Sequence, residues 1–177
     1  MGFLLQWLLL QMDVVHRNSV FFAYKTTDAV VIQIKGYANY LNASVLSNFL
    51  KKMETLPHKR YCILFEECDG IDSTCLGILA GLLLRLKAQN GICLFCGLKP
   101  RPLECIQMVG LDKFAYITEK APFSALSEQD MSVNISDKYK TKITPELVLE
   151  AHKFLTELNA HNKVRFQDVV ALLEKSE

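Results

Sequence analysis

The chain has 177 residues, of which 50% are hydrophobic and 22% charged, so it can build one core with an appendage, and global disorder is excluded. Its formal net charge of +1 provides no general attraction to nucleic acid or to an anionic membrane, so any electrostatic recognition has to be local. The sequence contains no internal repeat and no low-complexity tract.

Residues 1–18 are expected to form an apolar N-terminal extension. The stretch from Gly2 to Leu10 is nearly all apolar but too short to span a bilayer. It lacks the basic segment and the small-residue cleavage site of a secretory signal. Three interpretations remain open: a docked or dimerising helix, a weak membrane-surface anchor, or an upstream extension with Met12 as the true start.

The predicted core, residues 19–120, alternates strands and helices. An antiparallel hairpin comes first and ends at Gly36, because two strand-like runs flank a turn and residues 29–35 alternate and are rich in β-branched side chains. The elements follow in the order β-β-α-β-α-β-α-β, over residues 19–24, 29–35, 43–53, 61–66, 76–86, 91–98, 102–108 and 114–117. This order predicts an α/β fold with right-handed crossovers and a mixed, largely parallel sheet with one antiparallel edge hairpin.

The C-terminal third has a different texture. Residues 121–142 are polar and are expected to be a linker. Residues 143–177 are expected to form a helical hairpin, which opens at Thr144-Pro145-Glu146 with a cap, a proline and an acid. The hairpin has an apolar face, which has to pack on the core, on a copy of itself or on another protein.

The six cysteines are interpreted as reduced structural thiols. Cys93 and Cys96 have C-x-x-C spacing, but they fall within a predicted strand, where a separation of three places them on opposite faces. No second cysteine pair or histidine pair completes a zinc site. Reduced thiols indicate a cytoplasmic protein, and neither a metal nor a cofactor is predicted.

The segment from Asp72 to Gly77 is the strongest functional candidate. It joins a buried strand to a long apolar helix, and a helix N-terminus favours a capping oxygen or a phosphate. Ser73 is therefore either an N-cap or a phosphorylatable switch. A serine hydrolase is a weaker alternative, since Ser73 lacks the G-x-S-x-G elbow and the histidines fall in predicted turns or surface helices.

Three short motifs stand at matching places in this element order. They are Gly-Tyr-Ala-Asn at 36–39, Asp-Ser-Thr-Cys-Leu-Gly at 72–77 and Met-Val-Gly-Leu at 108–111. Together they resemble the STAS domain of bacterial anti-sigma factor antagonists, over about residues 19–120. One departure is Cys75, which stands where that family commonly has glycine.

The resemblance implies a non-enzymatic regulator that works by switching partners. Ser73 would be phosphorylated by an anti-sigma factor that is also a serine kinase, the unmodified form would bind that factor, and a phosphatase would reset the switch. By position, Ser73 is the phosphoacceptor, with Thr74 less favoured. Asn39, Asp72, Ser73, Thr74 and Cys75 would form the partner-binding segment, without direct contact to nucleic acid.

A second functional class remains open. STAS domains also occur as regulatory parts of membrane transporters, which would give this chain an indirect membrane association. The apolar N-terminus and the C-terminal hairpin would then be docking surfaces. A homodimer formed through the hairpin is a further alternative.

Overall fold

The structure is a computed structural model that describes residues 20–26, 29–121 and 132–175. The apolar extension predicted over residues 1–18 lies outside this part of the chain. Among the described residues, no helix combines the length and the apolar character needed to cross a membrane.

The secondary structure alternates as predicted over the core. The strands are β1 (Val20–Lys25), β2 (Val30–Ala38), β3 (Arg60–Leu64), β4 (Cys68–Ile71), β5 (Ile92–Cys96), β6 (Tyr116–Thr118) and β7 (Ser132–Asn134). The helices are α1 (Ala43–Glu54), α2 (Ser73–Ala88), α3 (Pro100–Val109), α4 (Ser136–Tyr139), α5 (Pro145–Leu158) and α6 (Ala160–Glu174). A 3-10 turn, Leu111–Lys113, joins α3 to β6.

The strands form one mixed sheet in the order β6-β5-β3-β2-β1-β7, with β4 paired to the end of β2. The pairs β2–β3, β3–β5, β5–β6 and β2–β4 are parallel, whereas β1 runs antiparallel to both β2 and β7. The predicted mixed, largely parallel sheet is therefore confirmed. The β1–β2 hairpin lies one strand inside the edge, because β7 pairs with β1.

The described helices cover one face of the sheet. Alternate residues of β2 point to opposite sides, so that Ile32 and Ile34 pack in the large helix-side core while Val31 packs in a smaller cluster on the other face. Cys93 belongs to the first cluster and Cys96 to the second, which confirms that the C-x-x-C spacing separates the two thiols.

Part of the predicted linker over residues 121–142 is folded. It contains β7 and α4, and Ile135 between them is buried in the core. The difference has a physical reason: β7 is a short edge strand with exposed side chains, so its sequence carries no apolar alternation. Strand β4 was not predicted either, because four residues are too few to show the alternation of apolar and polar side chains typical of a strand.

The C-terminal helical hairpin, α5 and α6, packs on the core. Helix α5 lies against α2 so closely that a Cβ atom on Gly77 would come 2.1 Å from the backbone oxygen of Ala151. Helix α2 is thus enclosed between the sheet and the hairpin. This arrangement explains why α2 is apolar on nearly all sides, from Leu76 through Leu83.

Polar contacts fasten α6 to the C-terminal end of α3. Asn162 is fully buried, and its amide Nδ2 donates to the carbonyl oxygens of Val109 at 2.8 Å and Leu155 at 3.1 Å. Arg165 Nη1 donates to the carbonyl oxygen of Met108 at 3.0 Å. Carbonyl groups in the last turn of a helix lack an intrahelical donor, so the side chains of α6 provide hydrogen-bond donors to the last carbonyl groups of α3.

Candidate functional site at the start of helix α2

Asp72 is the N-cap of α2 and organises the site. Its carboxylate Oδ1 accepts a hydrogen bond from the backbone N–H of Cys75 at 2.9 Å, and Oδ2 accepts one from the N–H of Tyr40 at 2.6 Å. The side chain is only 5% exposed. Burial raises the pKa of Asp72 to about 6, against the lowering effect of backbone hydrogen bonds from Cys75, Tyr40 and Thr74.

Ser73 is the first residue of α2 and does not cap it. Because Asp72 supplies the capping oxygen, the hypothesis that Ser73 is only an N-cap is wrong. The Ser73 Oγ atom instead lies 3.1 Å from Nε2 of His152 on α5. The hydroxyl therefore stands at a helix N-terminus without serving the helix backbone.

The hydrogen-bond partners of His152 define its tautomer. Nδ1 lies 2.8 Å from the carbonyl oxygen of Val148, which can only accept, so Nδ1 carries the proton and Nε2 accepts from the Ser73 hydroxyl. Burial lowers the pKa of His152, in keeping with a neutral ring. The ring also meets Phe166 edge to face, with centroids 5.7 Å apart.

His152 was expected on a surface helix, and the structure corrects this expectation. The residue is buried because α2 and Phe166 of α6 cover its side of α5. Its sequence neighbours Leu149, Ala151 and Leu155 are also buried, and this apolar setting was the available signal. The partner on α2 could not be identified from spacing, since the two residues are 79 positions apart.

Thr74 and Cys75 point into the core and not toward solvent. Both side chains are buried, and the Cys75 thiol lies 3.5 Å from the backbone oxygen of Asn39. Burial raises the pKa of Cys75 well above its ordinary value, so the group is an unreactive thiol. The departure from glycine at this position therefore adds a buried side chain without obstructing the surface at Ser73.

Asn39 lies in the turn between β2 and α1, beside the start of α2. Its Oδ1 accepts from the N–H of Leu41 at 3.1 Å, and its own N–H donates to Oδ1 of Asn42 at 3.0 Å. The bond from Tyr40 to Asp72 ties this turn to the helix start. The structure thus brings together all five residues that the sequence nominated.

Tyr40 and Leu41 are site residues that sequence reasoning missed. They are 50% and 53% exposed, and the backbone N–H of Tyr40 donates to the buried carboxylate of Asp72. They form an apolar rim next to Asn39 and Asp72. The signal was an aromatic and an aliphatic residue within a turn otherwise made of asparagines.

The described residues hold no group of three or more histidine, cysteine or acidic side chains able to bind a metal ion. All six cysteines are free thiols.

The fold is similar to that of known proteins. A family model described as the STAS domain matches residues 21–125. An anti-sigma factor antagonist from Mycobacterium paratuberculosis is similar in structure at 17% identity, with a TM-score of 0.53 over 58% of this chain and 87% of that one. The anti-sigma factor antagonist SpoIIAA, in its unphosphorylated form, is similar at 19% identity, with a TM-score of 0.50 over 55% and 86%.

No curated protein sequence matches the chain. At identities below 20% the solved structures show a shared fold, and the family rests on the model match, which spans more than half of the 177 residues. Helices α5 and α6 lie beyond the matched range. The chain belongs to the STAS domain family.

Proposed function

We propose that this protein is a partner-switching regulator of transcription, an anti-sigma factor antagonist that binds an anti-sigma factor kinase under the control of Ser73 phosphorylation. The protein acts by binding and not as an enzyme, in the cytoplasm, and a phosphatase reverses the modification. The two similar solved structures are of anti-sigma factor antagonists, which supports this class of partner.

One observation carries the proposal. The Ser73 hydroxyl stands at the N-terminus of α2 but is not the cap, because Asp72 holds that role. A phosphate on Ser73 would add about −1.5 to −2 charges at neutral pH. The partial positive charge of the helix N-terminus favours this anion, so the domain can carry the modification while its surface gains negative charge.

The rim beside Ser73 supports a protein partner. Tyr40 and Leu41 present apolar area next to the helix start, and buried apolar anchors contribute most of the binding energy in protein interfaces. A new dianion at Ser73 would have to be desolvated in such an interface. Partner loss on phosphorylation is the expected consequence.

Affinity capture with the full chain tests the proposal. Wild-type protein should recover an anti-sigma factor with a kinase domain, and Ser73→Asp should lose it while keeping the fold by circular dichroism. Ser132→Asp is the matched control, because it adds the same charge on the exposed strand β7. Equal recovery by the wild type and Ser73→Asp would contradict the proposal, and recovery of a membrane transporter would favour the transporter alternative.

A further inference from the structure

The surface that carries Ser73 is already occupied within this chain. Helix α5 lies along α2, and its residue His152 accepts the hydrogen bond from the Ser73 hydroxyl. The hairpin is also held at the C-terminal end of α3, where Asn162 and Arg165 of α6 donate hydrogen bonds to backbone carbonyl groups. The α5–α6 hairpin therefore covers the candidate switch and is anchored independently of it.

Helices α2 and α5 are in such close contact that no other protein can bind between them. A Cβ on Gly77 would come 2.1 Å from the oxygen, 2.5 Å from the carbonyl carbon and 2.9 Å from Cα of Ala151. One turn further, a Cβ on Gly81 would lie 2.7 Å from the ring of Phe154. A kinase or a partner cannot reach this side of α2 while α5 is in place.

We propose that the α5–α6 hairpin is an intrachain competitor for the Ser73 surface, which leaves before phosphorylation and is kept off by the phosphate. This proposal rests on the proposed function, because it assigns the regulation of the same site. It makes hairpin release the step that exposes Ser73 and the α2 face together.

In the closed state, α5 packs on α2 and His152 accepts the hydrogen bond from Ser73. The chemistry of the modification explains why this state would not re-form. Phosphoryl transfer from a nucleoside triphosphate forms a bond from Ser73 Oγ to phosphorus, breaks the bond to the nucleoside diphosphate, and releases the hydroxyl proton. That proton is the one donated to His152 Nε2 in the closed state. The phosphoserine would then present only acceptor oxygens to an acceptor nitrogen.

The short distance between Ser73 and His152 also opposes re-formation of the closed state by the phosphorylated chain. Ser73 is half-buried, and its Oγ atom lies at hydrogen-bond distance, 3.1 Å, from His152 Nε2, so phosphate oxygens on that side of Oγ would overlap the imidazole ring. The imidazole is buried and packed against Phe166, and burial lowers its pKa, so it is a poor cation for the phosphate. A phosphate on Ser73 therefore costs α5 its contact with this hydroxyl and favours the displaced hairpin.

The test uses the full chain with phosphoserine incorporated at position 73 during translation, which requires no kinase. Amide hydrogen exchange is compared with that of the unmodified chain. Residues 145–174 are expected to exchange about tenfold faster or more, while β3 and β5 keep their protection. Phosphoserine at Ser132 on the exposed strand β7 is the matched control and should leave residues 145–174 unchanged.

Two glycine variants test the closed state without any phosphate. Gly77→Ala meets three backbone atoms of Ala151, which cannot rotate away, so it should speed exchange in residues 145–174. Gly81→Ala meets the far ends of the Phe154 and Arg85 side chains, which can turn aside, so its effect should be smaller. Both changes replace a glycine by alanine within α2 and so raise its helix propensity by a similar amount, which makes them a matched pair.

The outcomes separate this proposal from the function on which it rests. Unchanged exchange of residues 145–174 in the phosphoserine-73 chain overturns the competitor proposal, and so does loss of protection throughout β3 and β5. If the hairpin opens but no kinase partner binds the unmodified chain, the competitor proposal stands and the proposed function fails. If the phosphate abolishes kinase binding while the hairpin stays closed, the reverse holds.

Discussion

At the scale of single residues, Asp72 and His152 connect the start of α2 to two different elements. Asp72 ties the helix to the turn before α1, and His152 ties the Ser73 hydroxyl to α5. Burial acts on their pKa values in opposite directions: it raises that of the carboxylic acid and lowers that of the imidazole. The two groups therefore give stability opposite slopes with pH.

Substituting His152→Phe keeps an aromatic ring but removes the acceptor of the Ser73 hydroxyl. We expect the free energy of unfolding at pH 7.5 to fall by about 1 kcal/mol, the usual value of such a bond. Urea titration with tryptophan-independent far-ultraviolet dichroism measures it. An unchanged midpoint would show that the Ser73–His152 bond does not stabilise the hairpin.

The pH dependence of the same pair has a defined sign. The pKa of folded His152 lies below the ordinary 6.5, so as the pH falls below that value the unfolded chain binds a proton that the folded chain does not. Wild type should lose stability through this window relative to His152→Phe. Their difference should shrink between pH 7.5 and 5.5, and a constant difference would contradict the buried, neutral imidazole.

Asp72→Ala should destabilise the protein by about 1–3 kcal/mol at pH 7, because the N–H groups of Cys75 and Tyr40 lose their acceptor. The folded pKa of Asp72 is raised to about 6 from an ordinary 3.8, so its stabilising contribution is full at low pH and falls as the pH rises through about 6. The loss caused by Asp72→Ala should consequently be larger at pH 5 than at pH 7.5. Urea titrations of both proteins at the two pH values check the sign.

At the scale of elements, the sequence predicted those with a strong apolar period and missed those without one. Helix α2 was foreseen because Asp72 precedes a long apolar run, whereas β4 has only four residues and β7 is short and exposed. The Ser73 site followed from a hydroxyl at a strand-to-helix junction. His152 did not, because its role depends on how α5 packs, and packing between distant elements leaves no local pattern.

The anchoring of α6 to α3 makes an element-scale prediction. Asn162→Ala leaves the carbonyl oxygens of Val109 and Leu155 without this donor inside the core, and we expect a loss of about 1–3 kcal/mol. Lys163→Ala, at the next and exposed position of α6, should stay within about 0.5 kcal/mol of the wild type. Thermal and urea unfolding of both variants measure the contrast, and equal effects would contradict the anchoring role.

At the scale of the whole molecule, a STAS domain carries a C-terminal helical hairpin on helix α2. The sequence left three places for the apolar face of that hairpin, and the structure shows it on the core, against α2. This layer encloses α2, so it joins the stability of the appendage to the state of Ser73. The apolar composition of α2 was the sequence signal for such a cover.

Removing residues 143–177 should uncover apolar area on α2, including Ile78, whose side chain is buried in the full chain. We expect the shortened chain to self-associate at concentrations where the full chain does not, because exposed apolar patches drive association. Light scattering coupled to size exclusion measures the mass of each. A monomeric shortened chain would show that the hairpin is not needed to cover α2.

The proposed function requires that phosphorylation of Ser73 decides whether this protein binds its kinase partner. The most direct measurement is the phosphate occupancy of Ser73, by peptide mass spectrometry, in the kinase-bound and unbound pools purified from the native host. We expect phosphate on Ser73 in the unbound pool and an unmodified Ser73 in the bound pool. Equal occupancy in both pools, or phosphate absent from Ser73 throughout, would contradict it.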